Sequence, residues 1–412
     1  AAMPDLINNG WTIARSALLT YQQRLTVTSN NIANINTTGY TRRVVQLATV
    51  QETPSSIHET RDYSHGVGVR VADVVRAQSS ALQGLLRQQT GDTSGHDTRA
   101  SGLANLESLL LAGDDSSLNT KLDAFWNSWY DLSNQAENMD LRVVVVQRGA
   151  DLAATLNSLH GRIDSFEQQV IAGMPGSFTG QLPSEVDQFN QLTTELQDLN
   201  ARISYSLSSF EPQGLMDRRE VVLGELAALA DIQVGTDYSV TLDGQTVVSA
   251  NGGTRAVLDV TAGGPPATFE LDGTAVSIAS GAIGAWSDVL DIAAGMSDRL
   301  DTLALDLMNA VNDIHNSDRN LAGDTYDLLG VRCDWDFFSG TGAADIAVNA
   351  SIYNPADPLN MDASLVAAAS SRHEDGPPPV PNPGDGSIAL QIADLAGESR
   401  SALGGLNFGD YH

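Results

Sequence analysis

The amino-acid sequence predicts a mainly α, elongated multi-domain protein, in which long helices form a coiled-coil-like bundle and a small antiparallel β domain is inserted. Two observations carry this prediction. Apolar residues recur at alternating intervals of four and three over several long stretches, which is typical of helices that bury one face against other helices. From residue 231 the period becomes two, with Asp-Gly, Gly-Gly and Gly-Pro turns between short segments, which is typical of antiparallel strands.

Composition and charge limit the partners that this chain can have. Its 412 residues suffice for two or three domains, and a hydrophobic content of 42% argues against a fully disordered chain. The 22 basic residues are outnumbered by 51 acidic ones, which gives a net charge of −29. Nucleic acid and anionic lipid both attract clustered Lys and Arg, so we expect neither as a partner, and no membrane association.

The single cysteine and the N-terminal residues exclude further classes of site. Cys333 has no second cysteine to pair with, so we interpret it as a small buried apolar residue rather than part of a disulfide or a metal site. No apolar run reaches the roughly 18 residues of a membrane span. The N-terminus lacks the basic-then-apolar pattern of a cleaved secretory signal peptide.

The first predicted element is a helix with an unusually regular apolar stripe over residues 1–35. The stripe positions alternate in spacing between four and three, and all but Thr28 are apolar. Such a helix is marginal alone in water, so we expect this segment to be disordered until it meets other helices. We call the stripe the seam; its residues are Ile7, Trp11, Ala14, Leu18, Tyr21, Leu25, Thr28, Ile32 and Ile35.

The next segment is predicted to be extended. NNIANINTTGY is rich in Asn, Thr and Gly, which end helices and favour turns. TRRVVQLATV and HGVGVRVADVV then alternate β-branched and polar residues, as strands do. Residues 36–75 are therefore interpreted as an extended linker.

Helical periodicity dominates from residue 76 to residue 230. Three stripes carry this prediction, and a Gly/Ser/Pro-rich stretch at 173–184 separates two of the helices. The stripes consist of Leu118, Leu122, Phe125, Trp129 and Leu132; of Leu152, Leu156, Leu159, Ile163, Phe166 and Val170; and of Leu192, Leu196, Leu199 and Ile203.

The remaining sequence predicts four to six short strands, a returning helix and a mixed C-terminal part. Helical spacing resumes at Trp286, while the Pro-rich stretch 376–386 fits neither a helix nor a central strand. The predicted order is a heptad helix (1–35), an extended linker (36–75), a helical bundle (76–230), a β domain (231–285), a helix returning to the bundle (286–330) and a mixed segment (331–412).

The sequence contains no convincing catalytic, cofactor or metal motif. Gly66 and Gly68 lack the third glycine of a dinucleotide fingerprint, since Val71 stands in its place. Asp318 and Asn320 faintly suggest a calcium loop, which lacks its terminal Glu. The seven histidines show no metal-ligand spacing. A paired-carboxylate glycosidase stays open because acids are abundant, although most fall on the polar faces of helices.

One segment carries a specific resemblance. Leu25–Arg43, LTVTSNNIANINTTGYTRR, resembles the N-terminal signature of bacterial flagellar axial proteins: an apolar helix, then S-N-N-I-A-N-x-N-T-x-G-Y, then a basic residue. The matching positions are Ser29, Asn30, Asn31, Ile32, Ala33, Asn34, Asn36, Thr37, Gly39 and Tyr40.

Other segments resemble one family within this group, flagellar hook-associated protein 1. They are residues 66–90, residues 215–234 with an Asp-x-Arg-Asp motif that ends in Glu220, residues 281–338 with a Phe-Phe pair, and residues 384–395 with Gly386 in place of an Asn. A hook or rod protein is the alternative within the group. It is disfavoured because Thr41-Arg42 replaces the Lys that tends to follow Gly-Tyr, and because a long helical stretch follows.

The resemblance implies a structural role and no enzymatic activity. It implies a flagellar protein that joins hook to filament and is exported unfolded by the flagellar type III system without signal cleavage, so that it works outside the cell. The implied partners are copies of itself in a junction ring, the hook protein, a second hook-associated junction protein and an export chaperone.

One departure and one rival interpretation remain. The family's long C-terminal helix, which would pair with the seam and carry the chaperone site, is not in the sequence, which ends at His412. We therefore expect a truncated chain. The alternative from a different class is a secreted hydrolase of cell-wall glycan on an axial-protein scaffold.

Overall fold

The computed structural model describes most of the chain. The described residues are 3–50, 68–111, 117–172, 180–206, 212–261, 267–354, 356, 361–373, 380–382 and 384–411; of these, side chains are described from Gly10 onward, except those of Thr261 and Pro381. The side chain of Ile7, the residues Gly66 and Val67, most of the predicted loop at 173–184, and residues 376–379 and 383 of the Pro-rich stretch lie outside this part.

Long helices make up most of the described chain. The helices are α1 (Met3–Ala33), α2 (Ser80–Leu111), α3 (Leu118–Asn134), α4 (Met139–Ile171), α5 (Gln181–Ser206), α6 (Gln213–Leu229), α7 (Gly281–His315), α8 (Ser387–Asp394) and α9 (Phe408–Tyr411). Short 3₁₀ turns lie at Ala363–Leu365, Leu395–Gly397 and Ser401–Leu403.

The strands are short and pair antiparallel. They are β1 (Arg43–Thr49), β2 (Val69–Arg76), β3 (Gln233–Val234), β4 (Val240–Leu242), β5 (Gln245–Val248), β6 (Leu258–Thr261), β7 (Thr268–Leu271), β8 (Thr274–Val276), β9 (Phe338–Ser339), β10 (Ala347–Val348), β11 (Arg372–His373) and β12 (Val380–Pro381). The sheets are β1-β2, β3-β4-β5, β6-β7-β8, β9-β10 and β11-β12. The predicted fold class, mainly α with antiparallel β structure, is confirmed.

The apolar stripes predicted from the sequence form the buried faces of α3, α4 and α5. All stripe residues are buried except Leu159, which is half-buried. Helix α4 begins where the side chain of Asn138 accepts hydrogen bonds from the backbone N–H groups of Asp140 and Leu141. This cap satisfies donors that the first turn leaves without partners.

The chain divides into two compact units. One comprises residues 1–98, 182–261 and 268–285, and the other comprises residues 99–181, 262–267 and 286–412. The second unit has an aromatic core in which Phe125 and Trp129 of α3 pack against the predicted Phe337-Phe338 pair. Both phenylalanines are fully buried, and their ring centroids lie 4.8 Å apart in an edge-to-face arrangement.

In the first unit, two tight hairpins have the predicted Asp-Gly turns. Asp243 and Asp272 have φ of 48°, and the glycine that follows each also has a positive φ. This is the geometry of a two-residue hairpin that matches strand twist. The Asp243 carboxylate also accepts a hydrogen bond from the backbone N–H of Ser277 at 3.0 Å, which ties the first hairpin to the second.

The returning helix is shorter than the prediction of 286–330. It begins at Gly281 and ends at His315. Past that point the side chain of Asn316 accepts a hydrogen bond from the backbone N–H of Asp318, and the hydroxyl of Thr325 donates to the His315 carbonyl. Side chains thus compete with the helical hydrogen bonds and close a turn instead.

Candidate functional site

The axial-protein signature lies where α1 ends and β1 begins, and Asn31 connects the two elements. Its amide donates to the Arg43 carbonyl at 2.9 Å, and its carbonyl oxygen accepts from the Arg43 backbone N–H at 2.9 Å. The hydroxyl of Tyr40 donates to the same oxygen at 2.8 Å. Asn31 therefore fixes the direction in which the chain leaves the helix.

Two further signature residues build the turn between these elements. The amide of Asn34 donates to the Asn30 carbonyl at 2.9 Å, and the backbone N–H of Thr37 donates to the Asn34 carbonyl at 2.9 Å. The backbone N–H of Tyr40 then donates to the Thr37 carbonyl at 3.1 Å. The Asn and Thr residues thus form a hydrogen-bonded turn, and α1 does not continue past this point.

Gly39 is where the turn meets α6. Its φ is +80°, which favours glycine, and a Cβ atom here would overlap Cγ2 of Val221. The remaining signature residues are exposed: Ser29, Asn30, Ile32, Ala33 and Asn36.

The hairpin β1-β2 packs on α1 at Ser16 and Thr20. The backbone N–H of Val69 donates to the Ser16 hydroxyl at 3.2 Å, and the hydroxyl of Thr20, which is buried, lies 3.3 Å from the Val69 carbonyl. The strands pair from Arg43 opposite Arg76 to Thr49 opposite Val69. The segment predicted to be extended is therefore a hairpin, whose pairing the strand pattern alone did not predict.

The seam faces away from the hairpin. Trp11 is 71% exposed and Leu25 is 68% exposed, although both are large apolar residues. The other described seam residues are exposed as well: Ala14, Leu18, Tyr21, Thr28, Ile32 and Ile35. Ile35 lies beyond α1, which ends at Ala33. No described part of this chain covers this face.

An acidic residue on α6 holds the hairpin, and sequence reasoning did not identify it. Asp217 lies 3.0 Å from Nε of Arg76 and 3.5 Å from Nη2 of Arg43. The Arg76 contact lacks the alignment of a hydrogen bond, so it is an ion pair only. The Arg76 and Asp217 side chains are 6% and 11% exposed, so the charges are largely withdrawn from water.

Arg219 and Glu220, which belong to the same motif as Asp217, contact other parts of the chain. The buried Arg219 donates to the side chain of Asn200 and to the carbonyl of Tyr238, each at 2.9 Å. Burial lowers the pKa of Arg219 to about 10. Glu220 forms a short ion pair with Arg87 of α2. In the sequence, only the family resemblance at 215–234 indicated that Asp217, Arg219 and Glu220 are important.

The carboxylates that suggested other chemistry have structural partners. Asp318 and Asp324, in the loop that faintly suggested calcium, lie 2.6 Å and 2.8 Å from the guanidinium of Arg332. A cavity of about 190 Å³ includes Glu137 and Asp385. Glu137 accepts from the Gly384 backbone N–H, and Asp385 accepts from Ser370, Ser371 and Ser387.

The described residues show no metal centre or membrane-spanning helix. Across these ranges, no three His, Cys, Asp or Glu side chains converge as metal ligands. No helix in the same ranges has the length and apolarity to cross a bilayer. Cys333 is fully buried, as predicted, and burial raises the pKa of its thiol to about 12.

Comparison with known proteins places these features in a family. The sequence-family model of the flagellar hook-associated protein FlgK helical domain matches residues 103–328. The sequence-family model of the flagella basal body rod protein matches residues 12–41. A solved structure, the flagellar hook junction protein FlgK from Burkholderia pseudomallei, has a similar fold, with a TM-score of 0.51 and 21% identity over 63% of this chain and 46% of that one.

Curated relatives agree with the family model. Flagellar hook-associated protein 1 of Bacillus subtilis (strain 168) is 32% identical over 246 residues, which are 59% of this chain and 46% of the relative. The protein of that name from Salmonella typhimurium is 28% identical over 60% of this chain and 43% of its own length, and that from Escherichia coli (strain K12) is 26% identical over 67% and 49%. The chain spans about half the length of these relatives. Because the helical-domain model covers more than half of its residues, the chain belongs to the family of the flagellar hook-associated protein FlgK.

Proposed function

We propose that this chain is a structural, non-enzymatic protein of the junction between flagellar hook and filament. The observation that carries the proposal is the arrangement of its N-terminal part. The signature residue Asn31 joins α1 to the hairpin, Gly39 allows the turn to approach α6, and the seam stays exposed. A large apolar stripe at the surface is typical of a site that binds other proteins.

The partners follow from the same proposal. They are further copies of the chain in a ring, the hook protein, a second hook-associated junction protein and an export chaperone. Each large apolar seam residue gains about 1.5–3 kcal/mol when it is buried, which offsets the cost of fixing a helix that is marginal alone. Ordering of the N-terminal segment is thereby coupled to assembly.

Export in the unfolded state and a location outside the cell belong to the proposal. A chain with one cysteine forms no internal disulfide that would hinder passage through a narrow channel. We also propose the predicted domain order, with the returning helix ending at His315, and we propose that the heptad helix (1–35) and the segment that contains the hairpin (36–75) form the assembly arm.

The seam makes a direct test possible in flagellated cells. In the full-length protein, Leu18→Asp should abolish incorporation at the junction and leave the cells non-motile. The carboxylate would be buried among the apolar residues of the seam on assembly, at a cost of several kcal/mol. Immunogold labelling of intact cells shows incorporation, and the melting temperature of the purified protein should stay unchanged because Leu18 is already 61% exposed.

Leu19→Asp is the matched control. Leu19 is 54% exposed but lies outside the seam, so this variant should assemble and swim. Full motility of the Leu18 variant, or an equal loss of motility in both variants, would contradict the role of the seam.

A zymogram on cell-wall glycan tests the rival hypothesis of a hydrolase. No clearing of the glycan is expected, whereas clearing that a single carboxylate substitution removes would favour an enzyme.

A further inference from the structure

The charged residues that flank the seam indicate the charge of the helix that would bind there. When the seam residues are placed at positions a and d of a heptad, Arg15 takes an e position and Arg24 takes a g position. In coiled coils these flanking positions form interhelical ion pairs and set partner choice and orientation. Arg15 and Arg24 are the only charged residues of α1 from Gly10 to Ala33.

Both arginines are available to a partner. Each is exposed, and neither forms an ion pair within the part of the chain that the structure describes. The guanidinium of Arg24 lies over the Tyr21 ring of the seam, 5.8 Å from its centroid. At about 1.5 Å of rise per residue, the two residues are roughly 13.5 Å apart along α1, and at about 3.6 residues per turn they lie on opposite flanks of the seam.

The neighbouring surface has the same sign. Residues 3–50 and 68–76 contain six arginines and two aspartates, although the whole chain has a net charge of −29. Arg43 and Arg76 share the single carboxylate of Asp217, whereas Arg42 and Arg70 are exposed. Helix α1 and the two strands of the hairpin thus carry a net positive charge in an acidic protein, although residues 51–67 of the assembly arm add three acids and one arginine.

We infer that the seam receives an amphipathic helix with carboxylates at the positions that face Arg15 and Arg24. This inference rests on the proposed function and adds the chemistry of the partner. A second α1 does not fit, because it presents arginines and no carboxylate at its own described flanking positions. A lipid surface fits poorly, because interfacial helices need a polar face rich in Lys and Arg, and α1 from Gly10 to Ala33 has two arginines and no lysine.

Two synthetic peptides test the charge requirement with the whole 412-residue chain. Each has four heptads with Ile at a and Leu at d; one carries Glu at every e and g position and the other carries Lys. Their affinities are measured by fluorescence anisotropy at about 50 mM NaCl, with hydrogen exchange to locate the binding site. We expect the acidic peptide to bind at least tenfold more tightly and to protect residues 10–33.

Matched charge-reversal variants identify the residues responsible. Arg15→Glu/Arg24→Glu should reverse the preference, so that the basic peptide binds more tightly. Arg42→Glu/Arg70→Glu changes the net charge by the same amount away from the seam and should keep the preference for the acidic peptide. Equal binding of both peptides, or a preference unchanged in the Arg15/Arg24 variant, would overturn the inference.

The remaining outcomes separate this inference from the proposed function. Binding without charge preference, with normal junction labelling of cells, would refute the inference alone. Failure of both peptides to bind would refute the inference, and together with a motile Leu18→Asp strain it would refute the assembly role. Protection of residues 10–33 by phosphatidylglycerol vesicles in preference to the peptide, or by self-association of the chain, would assign the seam to lipid or to a second copy and overturn the inference.

Discussion

At the scale of single residues, Asp217 decides how the assembly arm is held. It faces two arginines of the hairpin; Asp217 and Arg76 are largely withdrawn from water, and Arg43 is half-buried. A pair in this setting contributes little net stability when intact, but removal of one partner leaves a buried charge uncompensated at a cost of about 3–5 kcal/mol. The cluster is therefore more important for fixing geometry than for adding stability.

Asp217→Asn should consequently loosen the hairpin. We expect amide exchange in Arg43–Thr49 and Val69–Arg76 to accelerate at least tenfold, with no change in the 152–170 part of α4, as measured by hydrogen–deuterium exchange. Glu195→Gln is the control, because it breaks the exposed pair with Arg218, a type of contact that contributes about 0–1 kcal/mol. Equal exchange in the two variants would show that Asp217 does not hold the hairpin.

His315 is a buried neutral group whose titration opposes folding. Its Nε2 atom accepts a hydrogen bond from the Ala367 backbone N–H at 2.9 Å, an interaction that protonation removes. Burial lowers the pKa of His315 to about 4, the Trp335 carbonyl and Asp336 favour the charged form, and Arg142 disfavours it. The unfolded chain, whose histidine has the ordinary pKa of about 6.5, takes up a proton that the folded chain refuses.

The free energy of unfolding should therefore depend on pH through this residue. Its contribution is complete above about pH 6.5, falls as the pH drops towards about 4, and amounts to about 3 kcal/mol. Urea titrations across this range measure the slope of stability against pH. In His315→Gln the slope should be shallower even if the variant is less stable throughout; an unchanged slope would mean that other groups cause the acid sensitivity.

The residue scale also shows what sequence reasoning could not reach. The signature identified Asn31, Gly39 and Tyr40 as important, but not that Asn31 and Tyr40 join α1 to the start of β1, nor that Gly39 leaves room for Val221 of α6. The Asp217 contacts were not predictable, because 174 residues separate it from Arg43. Gly386, where the family resemblance has an Asn, has a physical reason: a Cβ there would overlap the Ser133 carbonyl.

At the scale of elements, α2 depends on where its glycines lie. This helix contains Gly84, Gly91, Gly95 and Gly102, although glycine weakens a helix interior. A Cβ at Gly91 would lie 2.7 Å from the Ala227 carbonyl of α6, whereas a Cβ at Gly84 would meet no atom within 4 Å. The same residue type therefore permits close packing at one position and only weakens the helix at the other.

Alanine substitutions should separate these two roles. Gly91→Ala should lower the free energy of unfolding by about 1–3 kcal/mol, because a carbonyl that belongs to helix backbone cannot yield cheaply. Gly84→Ala should raise it by about 0.5–1 kcal/mol through helix propensity. Circular dichroism with thermal and urea denaturation measures both. Stabilisation by Gly91→Ala would show that α2 and α6 can separate at little cost.

Elements were the level at which the sequence was most informative. The stripes at 118–132 and 192–203 became buried helix faces, and the Asp-Gly pairs became hairpin turns, because both patterns depend on neighbours in the chain. The end of α7 at His315 was missed, because the turn that stops it uses the Thr325 hydroxyl from ten residues away. The pairing of β1 with β2 was missed because it joins residues up to 33 positions apart.

At the scale of the whole molecule, charge repulsion between chains opposes their association through the apolar seam. The net charge of −29 disperses the chains through mutual repulsion, whereas the exposed seam favours association. Repulsion between chains is screened beyond a Debye length of about 10 Å at 0.1 M salt and about 3 Å at 1 M, while the apolar contact survives screening. The balance between the two therefore depends on ionic strength.

The purified chain should accordingly be a monomer at about 50–150 mM NaCl and should associate weakly only as salt approaches about 1 M. Analytical ultracentrifugation at micromolar concentration measures this as a rise in the weight-average sedimentation coefficient. Leu18→Asp should abolish the rise, because it places a charge in the middle of the seam, whereas Leu19→Asp should retain it. Long filaments at physiological salt would contradict the argument, since they would mean that apolar association overcomes the repulsion without any partner helix. Association that weakens as salt increases would contradict it differently, since charge attraction between copies, rather than the seam, would then drive assembly.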